Sequence, residues 1–508
     1  MESELCTAIS RTPMSAQLDL PVELLIHIFA LLEGHQIVRC IAVCSYFKHA
    51  IENSTALQYL IKLDMFGYTN GPGRADAARL NQLEKHIDAW NKLDWVESYI
   101  DVPIWRYGLD ALREGVYATS NTTEVLCIQL PSLSRGVPLR TWTLLFEFFV
   151  HEIEIDPSNN LLVILSMTSP LQGSDVREAA LHLRTLSDNT PHPSAPNSII
   201  FLRSTMVTPR SDHHMVRAMG ALLGILWLGA LEIWNWTTCE KITVLLDMNF
   251  FRSFEFLSAT SFLIPYDGRL EVYEIPVESP GAPPTHTASF GMPDPNPGYT
   301  PAVYLIPCIM HNMDNGGFPA SPSLPPPLFH MTEESRYIHI VWSALGVEDY
   351  LQIPFQVPVS SLLCSAMYPN PLAIPWDVWS KDVYFSKDND TQIPYWMNGG
   401  RFVHLTLSSN SHRVVSLFDL NRSRAAALGT TNADSSVGDG QSAHIIESPV
   451  FPLGEIRMER PCPIHVASRS LGLGEYHPRH LLCDDEHIIM RIFHEFDPDD
   501  EKLVILSF

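Results

Sequence analysis

Gly229-Ala230-Leu231-Glu232-Ile233-Trp234 recurs thirty-nine residues later as Gly268-Arg269-Leu270-Glu271-Val272-Tyr273. That interval is near the roughly 40–45 residues of one four-stranded propeller blade. A second match is longer. Asp156-Pro157 followed by Leu162-Val163-Ile164-Leu165-Ser166 returns at identical spacing as Asp497-Pro498 followed by Leu503-Val504-Ile505-Leu506-Ser507, with His-Glu before each. Both read as strand, Asp-Pro turn, strand.

Around these repeats, from about residue 100 onward, the chain runs in short stretches rich in Val, Ile, Leu, Phe, Trp and Tyr separated by Gly, Pro, Asn and Asp. That texture signals many strands and tight turns. A small sheet cannot bury both faces alone, so similar sheets stack around a central axis, which is a β-propeller. A β-sandwich or another all-β array is the alternative. Roughly 400 residues at the usual period give six to eight blades, with seven the central expectation. Two stretches interrupt the pattern. Pro276 to Pro327 holds 14 of the 39 prolines, and so many missing N–H groups argue against regular sheet over most of it, with the short run Ala302 to Ile309 open to a strand reading. Ala425 to Ser442 is small and polar and reads as a flexible loop.

The N-terminal part has a different period. In LDLPVELLIHIFALLEGHQIVRCIAVCSYFKHAIENSTALQYLIKLDMFGY (Leu18–Tyr68), Leu24, Leu25, Ile28, Phe29, Leu31 and Leu32 fall on one broad helical stripe. Pro21 starts that helix and Gly34 is expected to end it. Ile37, Cys40, Ile41 and Cys44 continue the pattern in a second helix, and Phe47 with Ile51 mark a third. Ser54 or Thr55 caps a fourth, through Leu57, Leu60 and Ile61. Tyr68 to Gly73 reads as a hinge loop, after which Leu80, Leu83, Ile87, Trp90 and Leu93 form a narrow seam on one more helix. The expected division is therefore a lead over 1–15, a helical module over 16–66 and a linker with a helix over 67–99. A propeller-like domain follows over 100–508, with a Pro-rich insertion at 276–330 and a flexible loop at 425–447.

Leu20-Pro21-Val22-Glu23-Leu24-Leu25, Ile28-Phe29, Leu31-Leu32, Cys40, Val43-Cys44 and Phe47 together resemble the F-box, the helical motif of eukaryotic ubiquitin-ligase adaptors. The one departure is that Ser45 and Tyr46 stand where F-boxes often carry a basic residue. The resemblance implies that Leu20, Pro21, Leu24, Ile28, Val43, Cys44 and Phe47 pack on a Skp-type linker protein, which joins the adaptor to a cullin. Leu25, Phe29 and Ile41 read instead as the module's own core. In the β region, Leu231 to Lys241 resembles the end of a WD-type repeat, with Asn235 in place of the aspartate and Cys239 in place of the glycine. F-box plus C-terminal propeller is a familiar adaptor arrangement in which the propeller face holds the target.

Composition limits the other classes. Lys and Arg total 33 against 57 Asp and Glu, a formal charge of -24; that field repels a phosphate backbone, so no nucleic-acid partner is expected. Nine cysteines without regular spacing fit reduced thiols in the cytoplasm or nucleus. The MESELCTAIS start shows no secretory pattern. The most apolar run, Ala218 to Leu231, has 14 residues where a spanning helix needs about 20, so it reads as buried strands and no membrane role is expected.

No catalytic signature stands out. GxSxG, HExxH and GxxxxGK are all absent. His213-His214 and His477-Pro478-Arg479-His480 lack a ligand set at metal spacing, so neither metal nor cofactor is expected. Cys40 and Cys44 read as buried small hydrophobes. Trp227, Trp234, Trp236, Trp342, Trp376, Trp379 and Trp396 read mostly as packing between blades, and Arg401 and Arg413 are possible face residues. The expectation is a non-catalytic substrate adaptor of a cullin-type (SCF) ubiquitin ligase, with substrate contacts unknown. An F-box scaffold outside a ligase is the alternative, and a propeller hydrolase a more distant one.

Overall fold

The computed structural model describes residues 20–72, 76–102, 109–167, 177–204, 214–227, 230–245, 253–306, 328–331, 336–346, 350–364, 368–385, 396–398, 400–407, 413–420, 444–447, 451, 455–458, 464–497 and 500–508. The expected lead over 1–15 and most of the loop at 425–447 lie outside them. The chain divides into two units, one of residues 1–66 with 74–81, the other of 67–73 with 82–508.

In the first unit four helices follow one another: α1 (Val22–Phe29), α2 (Gly34–Ile41), α3 (Ser45–Glu52) and α4 (Thr55–Phe66). Leu25, Phe29, Ile37, Ile51, Leu57 and Ile61 form the core. Pro21 sits one residue before α1, where its carbonyl receives the Leu24 and Leu25 N–H groups. Ser54 Oγ accepts the Leu57 N–H at 3.4 Å and so caps α4. Gly34 departs from expectation. It opens α2 instead of terminating α1, because α2 and α4 approach so closely there that a Cβ would lie 2.5 Å from Asp64 Cβ and 2.9 Å from the Leu60 carbonyl oxygen. Close approach, not a left-handed turn, demands glycine at this position.

The second unit contains seven four-stranded antiparallel sheets, the blades of a β-propeller. Blade 1 is Leu109–Arg113, Val116–Ser120, Glu124–Gln129 and Arg140–Leu145. Blade 2 is Glu152–Asp156, Leu161–Met167, Arg177–Thr185 and Ile199–Ser204. Blade 3 is Met215–Met219, Leu222–Trp227, Ala230–Asn235 and Glu240–Leu245. Blade 4 is Glu255–Ser258, Ser261–Tyr266, Arg269–Glu274 and Thr285–Gly291. Blade 5 is Thr300–Ile306, Tyr337–Leu345, Tyr350–Pro358 and Tyr384–Phe385. Blade 6 is Trp396–Asn398, Arg401–Leu407, Arg413–Asp419 and Ile464–Leu471. Blade 7 takes Tyr476–Cys483, His487–His494 and Glu501–Ser507 from the end of the chain and Val96–Asp101 from before blade 1. The first strands of blades 1 to 4 neighbour one another, as do those of blades 6 and 7, so the first strand of a blade is the inner one.

Blade 7 closes the ring. Val96–Asp101 pairs antiparallel with Glu501–Ser507 from Val96 opposite Ser507 to Asp101 opposite Lys502. A boundary at residue 100 cuts this strand, because a pairing partner some 400 positions distant leaves no local mark on six residues. Behind it, α5 (Ala77–Lys92) places Leu83, Ile87 and Trp90 in the interior, and Leu93 follows them; Trp90 and Leu93 join the apolar cluster of the closing blade. From Gln82 onward the seam read as a linker is thus part of the propeller unit. The expected hinge at Tyr68 is a strand. Tyr68–Asn70 pairs with Phe329–Met331, and Tyr68 Oη lies 3.2 Å from Nε2 of His86, whose imidazole burial pushes down to about 4.

The two repeats resolve differently. Ala230–Asn235 and Arg269–Glu274 are the third strands of blades 3 and 4, so the thirty-nine-residue interval is one blade step. Asp156-Pro157 instead joins the first and second strands of blade 2, whereas Asp497 falls between the second and third strands of blade 7. The similarity belongs to the turn and its flanking strands, not to equivalent places in a blade.

The Pro-rich stretch differs from expectation in blade 4 and agrees with it in blade 5, where the short run from Ala302 lies in a strand. It contains the outer strand of blade 4, Thr285–Gly291, and the inner strand of blade 5, Thr300–Ile306; only 307–327 lie outside the described residues. Apart from Pro301, its described prolines lie in the connections between strands, and Pro301 stands on an edge strand, where a missing N–H is tolerated. At the other loop, His444–Glu447 pairs with Glu455–Met458 as a hairpin between the third and fourth strands of blade 6. The run Ala218 to Leu231 supplies buried strands of blade 3, as its length implied.

Candidate functional site

The helical unit divides the α1 stripe between two faces. Residues four apart lie above one another on a helix while adjacent ones are turned by about 100°. Leu25 and Phe29 accordingly point into the core at 3% exposure each, whereas Leu24 and Ile28 stand at 51% and 47%. Val43, between α2 and α3, is 66% exposed. These three apolar side chains are therefore open to solvent and outside the core of the helical unit.

The remaining residues assigned to the linker surface are arranged as follows. Pro21 is exposed at the entry to α1. Leu20 is half-buried against the helical core, and its carbonyl accepts a 2.7 Å hydrogen bond from Tyr46 Oη, which ties the start of α1 to the start of α3. Cys44 is exposed rather than buried, because it stands before α3 as a cap, Sγ accepting the Phe47 N–H at 3.5 Å. Phe47 is half-buried, edge-on to Phe29 with centroids 5.1 Å apart. Ile41, read as core, is half-buried against the same cluster. Leu31, at 87%, and Val38, at 45%, are further open apolar side chains outside the residues assigned to the linker surface. For Leu31 the signal was present in the sequence, since it follows Ile28 by three positions.

Along the propeller axis the inner strands carry charges that answer one another. Arg113 Nη1 of blade 1 lies 3.2 Å from Glu154 Oε1 of blade 2; Arg217 of blade 3 reaches Glu154 at 3.6 Å and Glu255 of blade 4 at 3.8 Å. Burial pushes the Glu255 carboxyl up to about 7, against the opposing pull of Arg217 and Arg336. Between blades 7 and 1, Arg491 is bound to Glu501 at 2.6 Å and to Asp110 at 3.2 Å. A second clasp joins the same two blades: Arg135 Nη2 meets Glu486 at 2.7 Å, Ser132 Oγ donates to that carboxylate, and Asp484 accepts the Gly115 N–H and holds His487. These groups tie blade to blade and close the ring.

Other candidate residues are placed as follows. Trp227, Trp236, Trp342 and Trp379 are fully buried, as packing residues should be. Arg401 is buried and paired with Asp419 at 3.5 Å, so it presents no open face. His477 lies 2.8 Å from Arg413 and 3.4 Å from Glu495. In the WD-like turn, Asn235 Oδ1 accepts the Thr237 N–H at 2.9 Å, and Cys239 has φ +56°, the left-handed conformation for which a WD repeat uses glycine. Among the described residues no helix is long and apolar enough to cross a membrane.

Residues 17–57 match the family described as F-box-like. No curated protein matches the chain. Solved structures with similar chains include the N-terminal domain of Nup159, at 10% identity and TM-score 0.35, with 81% of this chain and 96% of that one covered. BamB from Moraxella catarrhalis follows at 7% and 0.35, covering 82% and 100%. A chain of the mitotic checkpoint complex gives 8% and 0.37, covering 81% and 91%. The fold rests on the seven sheets and their closure. An F-box-like domain followed by a seven-bladed β-propeller is the architecture of this chain.

Proposed function

We propose that this protein is a substrate-recognition adaptor of a cullin-type (SCF) ubiquitin ligase. Its F-box-like helices hold a Skp-type linker, and through it a cullin, while the propeller holds a target protein. The observation that carries this reading is that Leu24, Ile28 and Val43 are open apolar side chains within the segment that matches the F-box-like family. Pro21 and Cys44 are exposed as well, and Leu20 and Phe47 pack on the core of the helical unit, so each is available to the same reading. The adaptor acts by holding a target lysine near a charged ubiquitin-conjugating enzyme, which requires two interfaces and no reactive side chain of its own. Among the described residues the cysteines are free thiols, with Cys127 and Cys483 buried, which supports a reducing compartment, cytoplasm or nucleus.

The test is co-purification of the full chain with a Skp-type linker and a cullin, beside a variant carrying Leu24→Glu and Val43→Glu. Both positions are exposed, so the variant is expected to fold, and a native melting temperature checks it. Capture by the native chain and loss in the variant is the expected result. Equal capture by both would remove the interface assignment, and a folded native chain that captures neither partner would overturn the adaptor reading in favour of a scaffold outside a ligase.

A further inference from the structure

On the propeller face where second strands turn into third strands, a groove of about 660 Å³ runs beside blade 4. One wall is the turn Asp267-Gly268. Tyr266 pairs directly with Arg269, and both turn residues have positive φ, 46° and 70°, as a tight two-residue hairpin requires. The opposite wall is the segment Pro371–Trp379, from the connection between the third and fourth strands of blade 5. It is stitched to the outer strand of blade 4: Ser289 N–H donates to the Pro371 carbonyl and Ile374 N–H to the Ser289 carbonyl, each at 2.8 Å. Gly291 N–H donates to the Ile374 carbonyl at 2.8 Å, and Trp379 Nε1 to the Gly291 carbonyl at 2.7 Å. The groove is therefore built in advance of any ligand, which lowers the entropy lost on binding.

Its lining has two chemistries. Pro293, Pro301, Pro375 and Trp376 supply apolar walls, while Asp267, Asp294 and Asp377 are exposed carboxylates. Among the described residues of the lining the single basic one is Arg269, whose Nη1 is directed to Ser289 Oγ at 3.4 Å. Three acids against one base leave the groove negative, and that charge repels phosphate while it draws cationic side chains. Proline and tryptophan walls suit an extended segment whose own prolines or aliphatic stems lie flat on them.

We propose that this groove holds an extended basic peptide segment of a target protein, with Lys or Arg side chains meeting Asp267, Asp294 and Asp377 and apolar residues lying on Pro301, Pro375 and Trp376. The proposal rests on the reading of the propeller as the substrate-holding part of an adaptor. It names the chemistry of what is held.

The probe is a fluorescein-labelled peptide of alternating Lys and Pro, about ten residues long, compared with its Gln-Pro counterpart by fluorescence anisotropy on the full chain. The native protein is expected to bind the first and not the second. A variant with Asp267→Asn, Asp294→Asn and Asp377→Asn is expected to weaken binding roughly tenfold. A control with Glu240→Gln, Glu274→Gln and Glu278→Gln carries the same change of charge at turns of the opposite face, and it should bind as the native chain does. Equal weakening in both variants, equal binding of both peptides, or no binding of the Lys-Pro peptide by the native chain would overturn the proposal. All three groove aspartates are exposed, so a native melting temperature shows that the fold is kept. Capture of a Skp-type linker by the same preparations separates the two readings. Linker capture without peptide binding removes the groove alone; peptide binding without linker capture removes the adaptor and leaves the groove.

Discussion

Trp90 lies flat against Phe508, with ring centroids 3.9 Å apart and planes 11° from parallel. The indole N–H also donates to the Asp485 carbonyl at 2.9 Å, and Trp95 meets Phe508 edge-on at 6.1 Å. The last turns of α5 are in this way fastened to the blade in which the two ends of the propeller sequence pair. Trp90→Ala is expected to lower stability by about 3–5 kcal/mol, the usual cost of truncating a buried aromatic. Trp90→Phe keeps a ring on Phe508 and gives up the hydrogen bond, so a smaller loss is expected. Urea unfolding followed by circular dichroism checks the order; two equal losses would show that the stack contributes nothing.

Gly34→Ala tests the packing of α2 on α4. Alanine has the better helix propensity by about 1 kcal/mol, so a position governed by local preference would be stabilised. The added Cβ would instead meet Asp64 Cβ at 2.5 Å and the Leu60 carbonyl at 2.9 Å, and one of these atoms is backbone that cannot swing aside. A net loss of about 1–3 kcal/mol is the expected outcome, as for other overpacked sites. Thermal melting of the full chain and capture of a Skp-type linker should both fall, while Lys-Pro peptide binding by the propeller holds. A rise in melting temperature would mean that the helices separate at no cost.

The axis of the propeller carries a pH dependence of definite sign. Burial raises the Glu255 carboxyl to about 7, Arg217 standing 3.8 Å away and Oε1 having no hydrogen-bond partner. In an unfolded chain a glutamate titrates near 4.3. Between those values the folded protein holds the proton that the unfolded chain has released. The stability contributed by this group is therefore fully present below the unfolded value and is lost as pH rises through about 7. Glu255→Gln should remove a slope of up to about 1.4 kcal/mol per pH unit across that window, so that the variant gains on the native chain as pH rises from about 4.3 to about 7 and keeps a constant difference above it. Melting temperatures measured across a buffer series at constant ionic strength decide it. Parallel native and variant profiles would show that Glu255 is ionised throughout.

Period and punctuation made the secondary structure legible. The helical stripe through Leu25 and Phe29, the cap at Ser54 and the blade step between Leu231 and Leu270 are all local regularities. They arise because a helix returns to the same face every 3.6 residues and because blades repeat as units. Even the degenerate WD-type turn was readable: Cys239 occupies the left-handed position where the pattern calls for glycine. Gly34 and Cys44 were misplaced for one reason. A glycine can serve a turn or a close approach, and a cysteine can fill a core or cap a helix; the choice depends on what lies opposite.

That a small helical module precedes a repetitive all-β domain, and which side chains of α1 are apolar, is written in the order of the residues. Local residue chemistry is sufficient for that. Only the tertiary structure decided that Leu24 and Ile28 stay open while Leu25 and Phe29 close, that Val96–Asp101 completes the blade made by the end of the chain, and that Asp267, Asp294 and Asp377 share one groove. Pairing across hundreds of residues leaves no periodic trace in either partner. The number of blades, the closure of the ring and the composition of the groove are properties of which strands meet, and they exist only once the chain has come round.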